Sequence, residues 1–124
     1  MDAVGLLDER YFFFFEETDW ATRMDRAGWK IYFVPSARIF HLQGQSVGHR
    51  VNSRILYYRS RYAYFKKWHK GRYNFMCLIV FIRLLVNAFL NLLVVVGTLG
   101  LNTRARGRLS VYAGLIGWHL NGRP

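Results

Sequence analysis

The run 75–96 constrains this chain more than any other stretch, because it is almost continuously apolar and about as long as the hydrocarbon core of a bilayer is thick. Any fold must bury it or give it to lipid. Three residues interrupt it: Arg83, Asn87 and Asn91 stand four apart, so on a helix they form one narrow polar stripe that drifts about 40° per step. Fifteen Leu, Ile, Phe and Val side chains within 78–96 favour insertion by roughly 5 to 9 kcal/mol. A central Arg opposes it by about 2.5 to 3.5 kcal/mol and the two Asn reduce the margin further. A lone helix with lipid on every side is therefore not the best reading, and the stripe should face protein, water or headgroups. After a break that carries Arg104, Arg106 and Arg108, the segment 109–120 is apolar again but too short to span, and Ala113 and Gly117 offer a small-residue seam along it. The pattern predicts a helical hairpin or an in-plane pair, with the stripe turned toward the second segment or toward another copy in a homo-oligomer.

Charge is segregated along the chain. The net charge is +11 with 52% hydrophobic residues, a pairing that suits a membrane surface better than a freely soluble domain. All seven acids precede Lys30, whereas 50–72 is dense in Arg and Lys and holds no acid. Within it RILYYRSRYAYFKKWHK interleaves Tyr57, Tyr58, Tyr62, Tyr64, Phe65 and Trp68 with cations, the composition of an interfacial helix with rings at the headgroup level. Each cation near an anionic surface contributes about 1 kcal/mol. A solvated basic helix packed on the preceding residues is the bland alternative. Single-stranded nucleic acid, which the same residue types also suit, ranks a distant third because an apolar run follows. The single Cys77 lies in that run, which leaves no disulfide within the chain and is compatible with a reducing compartment. Nothing at the N-terminus reads as a signal peptide, since Asp2, Asp8 and Glu9 surround only a brief apolar patch.

The chemistry-bearing residues cluster in 12–46. Glu16, Glu17 and Asp19 stand before Trp20, Met24 and Ala27, which recur at helical spacing, and Gly28 follows where a left-handed cap is expected. Three carboxylates thus crowd one helix N-terminus. They can simply complement the dipole and cap free amides, or, delivered to the edge of a core by the aromatic run 11–15, one can be shielded enough to act as a base. The runs 30–34 and 38–42, rich in β-branched and aromatic residues and separated by Pro35 and Ser36, predict two strands joined by a turn. His41 would close the second strand, with Gly44 and Ser46 in the loop beyond. A lone strand-end His is more often structural than a ligand.

The stretch 4–46, VGLLDERYFFFFEETDWATRMDRAGWKIYFVPSARIFHLQGQS, resembles the C-terminal half of the catalytic domain of family 2 glycosyltransferases, especially bacterial rhamnosyltransferase-like members that build cell-surface polysaccharide. Their pattern runs G-G-F-D-E-x-F-F-x-Y-x-E-D-x-D-L-x-x-R, then A-G-W, V-P and H-x-x-G-x-S. The resemblance implies that Glu16 and Glu17 match the paired acids, with Glu17 as the base that deprotonates the acceptor hydroxyl. Glu17 stands where the commoner residue is Asp. Asp19 matches the third catalytic acid, Trp20 and Arg23 fall in the substrate-binding helix, and His41, with Gly44 and Ser46, matches the loop near a divalent metal, Mg or Mn, and the diphosphate.

The residue patterns and this resemblance together set the expectations for the fold. Residues 1–48 should form an α/β fragment, the C-terminal part of a GT-A-like domain; 49–73 a basic amphipathic interfacial helix; and 74–124 a hydrophobic, membrane-associated helical region on the cytoplasmic face of the cell membrane. The implied activity is inverting transfer from a sugar nucleotide to a lipid-linked or glycan acceptor. No D-x-D motif or Gly-rich phosphate loop occurs, so the chain is expected to be the acceptor-side fragment, with Met1 standing where a longer relative has an internal residue, and inactive alone. The alternative is a non-catalytic, membrane-associated interaction module or decayed fragment.

Overall fold

The structure, a computed structural model, describes residues 3–40 and 51–122. Four helices account for most of them: α1 (Glu16–Arg26), α2 (Val51–Trp68), α3 (Tyr73–Gly97) and α4 (Thr103–Asn121), with a single 3-10 turn at Lys70–Arg72 between α2 and α3.

The run 75–96 forms a helix as its composition requires, and α3 and α4 pack as an antiparallel hairpin joined by 98–102. Phe81, early in α3, stacks on His119, near the end of α4, with ring centroids 5.0 Å apart. The turn is closed by Gly100 in a left-handed conformation, φ 79°, and by the Asn102 side chain, which accepts from the Ala105 amide at 3.0 Å and caps α4. One side of α3 is buried, through Met76, Cys77, Val80 and Leu84, against Tyr58 and Tyr62 of α2 and Leu115 of α4.

Helix α2 sits between two partners because its sequence carries one apolar and one mixed aromatic and polar stripe about 150° apart. Val51, Ile55, Tyr58, Tyr62 and Phe65 lie in or against the hairpin core. Tyr57, Ser60, Tyr64, Lys67 and Trp68 hold the N-terminal segment: Ser60 Oγ donates to the Phe13 carbonyl at 2.8 Å, the Tyr64 hydroxyl meets Thr22 Oγ1 at 2.8 Å, and the Arg26 guanidinium lies 4.2 Å from the Trp68 ring centre. Tyr58 and Tyr62, expected among lipid headgroups, are instead buried in the core. The Tyr62 hydroxyl is 2.9 Å from His119 Nδ1, a buried polar link between α2 and α4.

The expected α/β architecture is overturned: among the described residues there is no strand and the fold is helical. The runs 30–34 and 38–40 are extended but unpaired, and Phe33 and Phe40 are almost wholly exposed. β-Branched and aromatic residues favour a pleated, half-buried surface only when a neighbouring strand supplies the ladder, and no described segment lies alongside to do so. The turn itself is present, with the Ala37 amide donating to the Val34 carbonyl at 3.1 Å across Pro35 and Ser36. The strand-like approach expected at 11–15 is likewise absent. Phe14 and Phe15 both take φ 68°, a left-handed conformation unusual for aromatic residues, and their rings pack on Tyr57 at 5.5 and 5.7 Å.

The polar stripe of α3 turns only in part. Arg83 is exposed, while Asn87 and Asn91, half-buried, return their amides to the Arg83 and Asn87 carbonyls at 2.7 and 2.8 Å. Along α4 it is Gly114 that admits another helix, since a Cβ there would stand 3.4 Å from Val51 Cγ1 of α2, whereas nothing lies within 4 Å at Gly117.

Candidate functional site

Helix α1 carries the acids. It starts at Glu16, with Glu16, Glu17 and Asp19 in its first turn, and ends in a Schellman turn: Gly28, φ 82°, donates to the Asp25 carbonyl and Trp29 to the Met24 carbonyl, both at 3.0 Å. Helical spacing then separates the acids. Glu16, Asp19, Trp20 and Arg23 share one face, and Glu17 points about 100° away from Glu16.

Asp19 is the centre of the arrangement. It is 0% exposed, and its Oδ1 accepts from Lys67 Nζ and Trp68 Nε1, both at 2.7 Å, and from the Tyr11 hydroxyl at 3.3 Å, while Oδ2 accepts from Arg23 Nε at 3.0 Å. Lys67 also binds Asp8 at 2.8 Å, and Asp8 in turn binds Arg10. Burial by itself would raise the Asp19 pKa, but the hydrogen bonds from Lys67 and Trp68, the Lys67 charge and the Arg23 hydrogen bond outweigh it and hold the carboxyl below its ordinary range. Asp8 is lowered too: desolvation opposes ionisation, and hydrogen bonds from Lys67 and Arg10 overcome it. Burial, with the Asp19 charge beside it, pushes the Tyr11 phenol up. Asp19 is thus an ionised anchor joining α1 to the end of α2, its lone pairs engaged by four donors.

Trp20 and Arg23 spend their donors on the chain itself. Trp20 Nε1 donates to the Gly5 carbonyl at 3.1 Å, and Arg23 donates to the Leu6 carbonyl at 2.6 Å and to the Val4 carbonyl. They strap 4–6 across α1. The remaining acids are different: Glu17 is exposed, and Glu16 Oε2 is buried with no hydrogen-bond partner among the described residues. An open groove of about 460 Å³ lined by Asp25, Gly28, Trp29, Lys30, Ile31 and Tyr32 lies at the opposite end of α1 and includes neither.

The structure therefore brings Asp19, Trp20 and Arg23 together and leaves Glu17 on a separate face. His41, Gly44 and Ser46, expected to complete the site, lie outside the described residues. No group of three His, Cys, Asp or Glu side chains that could hold a metal ion occurs among the described residues. Residue-by-residue reading missed Asp8, Tyr11, Lys67 and Trp68. The available signal was charge segregation: acids confined to the first part of the chain need cations from beyond Arg50.

No family model matches the chain, and no solved structure matches it. It is similar to the N-acetylglucosaminyl-diphospho-decaprenol L-rhamnosyltransferase of Mycobacterium tuberculosis, in strain CDC 1551 / Oshkosh and in strain ATCC 25618 / H37Rv. Identity is 36% over 69 residues in each case, covering 55% of this chain. The aligned part spans 22% of the length of these curated relatives. Over that stretch the chain has a glycosyltransferase-like relationship, which accords with the motif resemblance in 4–46.

Proposed function

We propose that this chain is the acceptor-side part of an inverting glycosyltransferase that works at a membrane, on the cytoplasmic side, in the synthesis of a cell-surface glycan. The observation that carries the reading is the 36% identity with rhamnosyltransferases whose acceptor is a diphospho-decaprenol-linked sugar. The acceptor is accordingly a lipid-linked sugar and the donor a sugar nucleotide. Glu17 takes the proton from the acceptor hydroxyl as that oxygen attacks the anomeric carbon, and the nucleoside diphosphate leaves from the opposite face with its bonding electron pair. Exposure suits Glu17 to this task, because an incoming hydroxyl can reach its carboxylate. Glu16, in the same helical turn, keeps its Oε2 buried with no hydrogen-bond partner among the described residues, out of reach of an incoming hydroxyl. Asp19, fixed by Lys67, Trp68 and Arg23, orients the helix that carries both. The Mg or Mn ion that the motif resemblance implies has no ligand set among the described residues, and no step is routed through it.

The test grafts residues 4–46 into the Mycobacterium tuberculosis enzyme and follows labelled rhamnose into its lipid-linked acceptor. The graft retains transfer, and Glu17→Gln in it lowers turnover by about 10² to 10⁴ with donor binding unchanged, the loss typical of a missing general base. A graft that binds the sugar nucleotide yet transfers nothing refutes the assignment, and full turnover in the Gln variant removes Glu17 from the role of base. Alone, the 124-residue chain is expected to show no transfer.

A further inference from the structure

We propose that the α3–α4 hairpin docks on one leaflet of an anionic bilayer and lies in the plane of the interface, so that α3 does not cross. The inference refines the membrane placement above and does not depend on transfer activity.

By length and composition α3 qualifies as a span: within Lys70–Gly97 an 18-residue window has a mean hydropathy of 2.5, and only 11% of that window is buried. Three observations decide how it meets lipid. The first is the shape of its free surface. Phe75, Ile79, Ile82, Val86, Phe89, Leu93 and Val96 are all exposed, and their alternating spacing of four and three runs them nearly straight along the helix. This stripe is about 32 Å long at 1.5 Å per residue and lies roughly opposite Met76, Cys77, Val80 and Leu84, which face α2 and α4.

The second is where α2 lies. The stacking of Phe81 on His119 sets the antiparallel register, so moving from His119 back to Gly114 reaches the level of Val86, the middle of the apolar run. Val51, the first residue of α2, sits against Gly114, and the Arg54 guanidinium is 5.8 Å from the ring centre of Tyr112. A crossing α3 would hold Asn52 and Arg54, both exposed, at mid-depth in hydrocarbon, where charged and amide groups are excluded unless protein or water covers them. With the hairpin lying flat, α2 is on the water side and the apolar stripe faces down.

The third is charge. Arg72 precedes α3, Arg104, Arg106 and Arg108 follow it, and all four are exposed. A spanning helix is normally flanked by cations on its cytoplasmic side. Cations at both ends of α3 instead fit two ends resting in the same layer of headgroups, and the absence of any acid after Lys30 makes that layer anionic. Arg83, at the edge of the apolar stripe, can reach the same layer by extending its side chain.

The test uses the full chain with Cys77→Ser, adding Gly71→Cys before α3 or Thr103→Cys at the hairpin tip. Gly71 has nothing within 4 Å of a built Cβ, and Thr103 is exposed at the first residue of α4. Chain bound from outside to sealed vesicles containing phosphatidylglycerol should react completely with a membrane-impermeant maleimide at either cysteine, and alkaline carbonate should release it. Partition should fall about tenfold on pure phosphatidylcholine, and about tenfold for Val86→Glu combined with Phe89→Glu. Protection of one cysteine until detergent is added, together with resistance to carbonate, overturns the proposal. Equal partition onto neutral vesicles overturns its anionic part, and a soluble oligomer that ignores vesicles overturns it altogether. If the double Glu variant loses its helical circular dichroism, the two-site labelling of the parent decides.

Discussion

Replacing Asp19 by Asn removes one negative charge from a site with no solvent access while keeping the size of the side chain. The carboxylate receives three short contacts from charged or strongly polar donors, Lys67, Trp68 and Arg23, and a longer one from Tyr11. At roughly 1.5 to 3 kcal/mol for each hydrogen bond to a charged group, a simple sum is about 4.5 to 9 kcal/mol. That sum is an upper bound. The Asn carbonyl still accepts from Trp68, Lys67 retains Asp8 at 2.8 Å, and Arg23 and Lys67, 20% and 18% exposed, regain some hydration. What remains is an uncompensated pair of cations facing an amide, with an expected cost of about 3 kcal/mol, at the lower edge of the range for breaking a buried ion pair. The network ties α1 and 4–15 to the end of α2, and none of its residues belongs to the hairpin core, so the loss should be local. Hydrogen exchange reads it directly: α1 amides should exchange about a hundredfold faster in the variant, and those of α3 should be unchanged. Acceleration of less than about fivefold, equivalent to about 1 kcal/mol, would refute the view that Asp19 anchors this end of the molecule. Acid tests the same network. Asp8 and Asp19 both have folded pKa values below the ordinary 3.8, so their stabilisation is complete above that pH and is lost as pH falls below it toward the folded values. Protection of α1 should hold to about pH 4 and collapse beneath it.

Three further outcomes are expected. Leu115→Ala, at a fully buried position between α2 and α3, should cost about 2 to 5 kcal/mol in urea unfolding followed by circular dichroism; a loss under about 1 kcal/mol would mean that the hairpin core is not packed as described. Gly28→Ala forces a Cβ into a left-handed position and should weaken the end of α1 by about 1 kcal/mol, read as faster exchange at the Gly28 and Trp29 amides. At alkaline pH, Tyr11 has a folded pKa above its ordinary 10.0, so its contribution is intact below pH 10 and declines as pH rises beyond it. Tyr11→Phe should abolish that alkaline loss of α1 protection, and an unchanged profile would show that another group is responsible.

The chain by itself determined whatever depends on local periodicity. The apolar run was legible as a helix, because a mostly apolar stretch of that length must satisfy its backbone polar groups within itself. The helix at Glu16, its left-handed end at Gly28 and the turn at Pro35 and Ser36 were legible for the same reason, since each is decided by residues only a few positions apart. Tertiary structure decided which surfaces meet. The residues at 30–34 and 38–40 have the composition of strands, but a strand exists only with a neighbour, and the described chain supplies none. Whether Tyr58 and Tyr62 meet lipid or core, and which of three acids is locked into an ion network while Glu17 stays open, also depends on contacts across forty or more residues. Spacing along a sequence can place a carboxylate on one face of a helix, but only the packed neighbour determines whether that face carries an anchor or an accessible base.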